Sequence, residues 1–124
     1  MGNSQLRSAQ TDSRGVDISH AQILQDDSGR YQISGAIDFV TSPALLKQAN
    51  AYMEEAVRSG AAASLIFDFS TATSCNSAAL ALVLEILKQG KQASLDLQFE
   101  NMPESLIKIA RAYGIETEIR EFIR

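Results

Sequence analysis

The chain has one cysteine, one histidine, two prolines and no tryptophan in 124 residues, and it has no cluster of Lys or Arg. A lone Cys75 makes no internal disulfide, and with His20 as the only imidazole there are too few ligands for a structural zinc site. A reducing, cytoplasmic compartment is expected on that ground. The absence of a basic block, at a net charge of −4, removes the electrostatic footprint that nucleic-acid binding and polybasic membrane attachment need. No run approaches the roughly 18 apolar residues of a membrane span, so direct membrane insertion is not expected. Met1-Gly2 opens like an acylation signal, but Leu6 stands where that signal wants Ser or Thr.

What is present suits one compact domain. The chain is 45% hydrophobic and 21% charged, ordinary values for a globular protein. Residues 1–17 are polar and without hydrophobic periodicity, which predicts a disordered leader, with the domain at 18–124. Ser19 to Gln25 and Arg30 to Ile37 suit strands around a turn at Asp27-Ser28-Gly29. Thr41-Ser42-Pro43 then starts a helix with Leu45, Ala49, Tyr52, Met53 and Ala56 inward, closed at Gly60. Ala63 to Phe69, short and apolar, reads as a strand buried on both faces. A second helix is expected over Asn76 to Gly90, a strand over Ala93 to Phe99, and a third helix over Pro103 to Tyr113 with Leu106, Ile109, Ala110 and Tyr113 inward. Ile115 to Ile119 reads as an added edge strand. The order β-β-α-β-α-β-α predicts an α/β fold, with a central mixed sheet of four to five strands covered by three to four helices.

No catalytic set emerges. His20 has no Ser or Asp pattern beside it and reads as an ordinary strand residue. Cys75 precedes a helix N-terminus without a cationic neighbour, which favours a structural thiol. Gly90-Lys91-Gln92 lacks the upstream glycine and the following Ser or Thr of a phosphate-binding loop. Asp26, Asp27, Asp96, Glu104, Glu116 and Glu118 show no metal-ligand spacing, so neither cofactor nor metal is expected.

The unusual stretch is Asp68 to Leu80, a polar loop running into a helix that has only Glu85 as a polar residue between Ala78 and Leu87. Either the sheet and neighbouring helices cover those leucines, or the helix shows an apolar partner surface. Ser77 likewise has two readings. Asn76 or Ser77 caps the helix, or Ser77 is a regulatory hydroxyl whose phosphate would face the helix N–H groups.

Two motifs at these places carry a resemblance. Ser34-Gly35-Ala36-Ile37-Asp38 before Thr41, and Asp68-Phe69-Ser70 followed by Asn76-Ser77-Ala78-Ala79-Leu80, resemble those of STAS domains, the modules of anti-sigma-factor antagonists and of sulfate-transporter tails. The similarity covers about residues 19 to 119. It implies a SpoIIAA-like fold and places the family's phosphorylated Ser or Thr on Ser77, with Asn76 where Asp is usual and Ala79 where Gly is usual. Residues 99–106 and 109–114 are similar to the MlaB branch, the small STAS subunit of a bacterial phospholipid ABC transporter. That resemblance implies a non-enzymatic subunit that docks on the cytoplasmic ATPase, with its permease in the complex, and sits peripherally at the inner membrane. The alternative it leaves is an anti-sigma-factor antagonist or related switch, controlled by phosphorylation of Ser77. Expected partner-binding residues are Asp38, Phe39, Thr41, Ser74, Cys75, Asn76, Ser77 and Ala78, because both loops should leave the same end of neighbouring strands. Self-association through an uncovered helix is a further expectation.

Overall fold

The computed structural model describes residues 12, 13, 15, 16, 21–27, 29–60 and 64–124. His20, Ser28, Ala63 and most of the expected leader lie outside the described residues. Within 1–17, β1 (Asp12–Ser13) and β2 (Gly15–Val16) form a two-residue antiparallel ladder.

The main sheet has the order β3 (Gln22–Asp27), β4 (Arg30–Ile37), β5 (Ser64–Cys75), β6 (Asp96–Glu100). β3 and β4 form an antiparallel hairpin, whereas β4, β5 and β6 are parallel, as strands separated by helical crossovers must be. The helices are α1 (Ser42–Ser59), α2 (Ser77–Gln92), α3 (Glu104–Ala112) and α4 (Glu116–Arg120). This four-stranded mixed sheet with four helices is the architecture expected from the sequence.

β4 buries alternate residues, with Tyr31, Ile33 and Ile37 in the core. Leu65, Phe67 and Phe69 of β5 and Leu97 and Phe99 of β6 continue the same layer. Leu45, Ala49 and Met53 of α1, Val83 and Ile86 of α2 and Leu106 of α3 close it. An aromatic row crosses the layer: ring centroids are 4.6 Å apart for Tyr52 and Tyr31, 5.4 Å for Tyr31 and Phe67, and 6.1 Å for Phe67 and Phe99. These tilted and offset rings add to the area they bury.

β3 is an edge, and α1 protects it. The Ile23 N–H donates to Gln48 Oε1 at 2.6 Å, and Tyr52 Oη donates to the Ile23 carbonyl at 3.3 Å. Side chains thus occupy backbone groups that would otherwise template another strand.

Four expectations are corrected. Ile115 to Ile119 is no edge strand: Ile115 and Ile119 also stand one helical turn apart, and Glu116 ties α4 through Arg111 at 2.8 Å and Arg120 at 2.8 Å. The chain end takes the edge instead, where Phe99 N–H donates to Phe122 O at 2.7 Å and Arg124 N–H to Phe99 O at 2.9 Å. The second face of β5 is only partly covered, with Asp68 buried on it. Ile66 is half-buried, and Arg30 of the same sheet face pairs with Glu100 at 2.6 Å and Asp68 at 3.7 Å. Tyr113 is not inward: α3 ends at Ala112, leaving Tyr113 as its C-cap with 65% exposure, while Ile107 is buried and Ile109 half-buried.

The fourth concerns the polar segment after Phe69, which is strand and not loop. β5 runs on to Cys75, with register shifts between Gln32 and Ser34 and between Gly35 and Ala36 of β4. Each shift sets an extra β5 residue against β4, and Gly35 accommodates the second with φ +88°.

Candidate functional site

The β4–α1 turn is built by a reciprocal pair. Asp38 Oδ1 accepts from Val40 N–H at 2.9 Å and Thr41 N–H at 3.0 Å. Thr41 Oγ1 accepts from Asp38 N–H at 3.0 Å and donates to Ala36 O at 2.8 Å. The Thr41 N–H is the main reason the Asp38 carboxyl titrates below its ordinary range, as a carboxylate fixed by backbone donors does. With its polar groups used inward, the turn holds its two apolar residues outward, Phe39 at 70% exposure and Val40 at 87%.

The β5–α2 junction lies beside it. Ile37 pairs with Cys75, and Asn76 N–H donates to Ile37 O at 3.3 Å. Asn76 is the N-cap, its Oδ1 accepting from Ala78 N–H at 2.8 Å. Capping therefore falls to Asn76, and the Ser77 hydroxyl takes no part in it. Ser77 is half-buried at the first position of α2. Burial pushes the Cys75 thiol up from its ordinary pKa, which suits the structural reading of this residue. Ser74 is exposed at the end of β5.

The two junctions are stitched by Ser42 Oγ, which donates to Ala78 O at 3.5 Å. All eight sequence-selected residues thus lie at one end of the parallel strands, with the N-termini of α1 and α2 side by side. Both positive helix ends face that surface, which favours an anion there and makes added negative charge at Ser77 locally tolerable until a partner buries it.

Sequence reasoning missed the groove that adjoins this end. Phe39, Pro43 and Leu46 on one side and Ala78, Ala81 and Leu82 on the other line a space of about 460 Å³, with Glu85 as its single charge. The signal was present in the α1 periodicity, where Leu46 stands off the core stripe of Leu45, Ala49 and Met53. As for α2, both readings hold in part: Leu80, Leu82, Val83 and Ile86 are covered, whereas Leu84 and Ala81 are exposed.

Away from this end, Asp68 is the one buried charge of the described residues, 8% exposed. Burial alone would raise its pKa, but hydrogen bonds from Asn101 Nδ2 at 2.9 Å and Ser70 N–H at 2.9 Å, with Arg30 nearby, outweigh that and lower it. Among the described residues no three His, Cys, Asp or Glu side chains are gathered to hold a metal ion, and no helix is long and apolar enough to cross a membrane.

Comparison with known proteins agrees with this architecture. A solved structure of the anti-sigma factor antagonist SpoIIAA in its unphosphorylated form is similar in fold, with TM-score 0.54 at 17% identity over 84% of this chain and 85% of that one. No curated protein matches the chain. The family model described as Mlab, STAS domain, matches residues 20–123. With the fold, the Asp38–Thr41 turn and the Asn76-capped helix of the second motif in place, the chain belongs to the Mlab family of STAS domains.

Proposed function

We propose that this protein is a non-enzymatic docking subunit, and that it binds the cytoplasmic ATPase of a phospholipid ABC transporter through the surface formed by residues 38–42 and 74–78. Membership of the Mlab family supports the choice of partner. The observation that carries the choice of surface is the outward display of Phe39 and Val40 beside the apolar groove under Ala78 and Leu82. A turn held by its own hydrogen bonds and presenting a large aromatic side chain has the make-up of an interface anchor. Self-association is not needed to explain α2, most of which is already covered.

A partner that covers this end desolvates Ser77. Placing a carboxylate or phosphate there without a cationic partner costs several kcal/mol, whereas removing one hydroxyl costs little. Affinity capture from detergent-solubilised membranes, with bound proteins identified by mass spectrometry, tests the reading. Wild type and Ser77→Ala should recover an ABC ATPase with its permease, and Ser77→Glu should lose both. Recovery of the pair by Ser77→Glu at the wild-type level sinks the assignment of the surface.

The switch reading has one observation in its favour, the Ser77 hydroxyl left unused at a helix N-terminus. Incubation with lysate and ATP followed by intact-mass measurement separates the two: a switch gains one phosphate at Ser77, and a transporter subunit does not.

A further inference from the structure

α2 has a third face, turned neither to the core nor to the docking end. At about 100° per residue, Leu84, Leu87 and Lys91 share a stripe more than a quarter-turn from Ala78, Leu82 and Glu85, and Lys88 stands at its near edge, about 60° from Glu85. Between this stripe, β6 and the chain end lies a cleft of about 530 Å³, within the usual size range of small-ligand sites.

Its apolar lining is Leu84, Leu87, Leu95, Leu97 and Phe122. Leu97 is buried beneath α2, and Gly90 lets the helix sit down on it: a Cβ at Gly90 would overlap Leu97 Cδ1. Phe122 forms the far wall and is held by its own backbone, its carbonyl accepting from Phe99 N–H at 2.7 Å and its N–H donating to Ile119 O at 2.9 Å. Leu84 stays 41% exposed on the near wall.

The lining also carries charge. Lys88 and Lys91 both line the cleft, are exposed, and form no ion pair among the described residues. Asp96 also lines the cleft, so its charged lining sums to one positive charge. A mainly apolar lining that includes two lysines matches a molecule with a hydrocarbon chain and one anionic head.

We propose that this cleft binds the hydrocarbon chain of a single-headed anionic amphiphile, a fatty-acid carboxylate or the acyl chain of an anionic lipid, with the head against Lys88 and Lys91. The chain lies over Leu97 between Leu84 and Phe122. This site is separate from the docking surface, and its test does not depend on the transporter partner.

Sodium laurate below its micellar concentration, titrated calorimetrically into the full chain, should bind saturably at one site. Lys88→Gln/Lys91→Gln should weaken binding about tenfold by removing the charge-assisted contacts, and Leu84→Glu should abolish it. Both variants change exposed positions, and their circular dichroism should match wild type. Sedimentation with phosphatidylglycerol vesicles separates the two sources. Co-sedimentation suppressed by laurate places a membrane acyl chain in the cleft, and no co-sedimentation leaves the free carboxylate as ligand. Wild-type affinity in the lysine variant, non-saturating uptake of laurate, or vesicle binding that laurate does not touch overturns the proposal.

Discussion

Asp38, Thr41 and Asn76 commit their side chains to backbone groups, and that is what shapes the exposed end of the molecule. The Asn76 side chain satisfies one of the N–H groups that α2 leaves unpaired. Asn76→Ala should therefore cost about 1 kcal/mol of stability in urea unfolding, with the fold retained. Glu116 acts through charge. Hydrogen bonds from Arg111 and then Arg120 lower its pKa from 4.5 to about 2. A depressed folded-state pKa contributes stability above the unfolded value, and this is lost as pH falls through the folded value. Asp68, also lowered, has the same sign. Stability should hold at neutral pH and decline from about pH 4.5 toward 2, and Glu116→Gln should flatten part of that decline in acid titration followed by circular dichroism.

Among the elements, the α2–β6 contact is the least forgiving. Gly→Ala in an exposed helix interior gains about 1 kcal/mol, but at Gly90 the new methyl overlaps the Leu97 side chain, with Cγ also within 2.7 Å. Overpacking of this kind costs about 1 to 3 kcal/mol. Gly90→Ala should lower the urea midpoint, and Gly90→Ala/Leu97→Ala should lose less than the two single changes added together. Elements with a clear local signal were legible in the sequence: the strand over Arg30 to Ile37 and the three-to-four spacing of α1 both survive in the structure. β5 was legible only to Phe69, because two bulges break its alternation exactly where the polar residues begin. Ile115 to Ile119 satisfied both periods over five residues, and the arginines that decide for helix lie four and five residues from Glu116. The position of the site was readable from two parallel strands with adjacent ends, but the groove was not, since it depends on how α1 and α2 pack.

Across the whole molecule, helices cover one sheet face, while the other carries the pairs of Arg30 with Asp68 and Glu100. The parallel strands bring both crossover helices to start at one end, so two loops distant in sequence become one surface. Phe39 and Val40 add nothing to the core, being 70% and 87% exposed. Phe39→Ser should leave the urea midpoint within about 0.5 kcal/mol of wild type, as exposed substitutions do, while lowering recovery of the ATPase in affinity capture. That separation of stability from binding distinguishes an interface anchor from a core residue.

Hydrogen–deuterium exchange on the captured complex, compared with the free chain, tests the docking account most directly. The account predicts added protection at residues 38–46 and 75–85 and none at α3 or α4. Protection confined to α3, α4 or the sheet face of Arg30 and Glu100, with residues 38–46 exchanging as in the free chain, would contradict it.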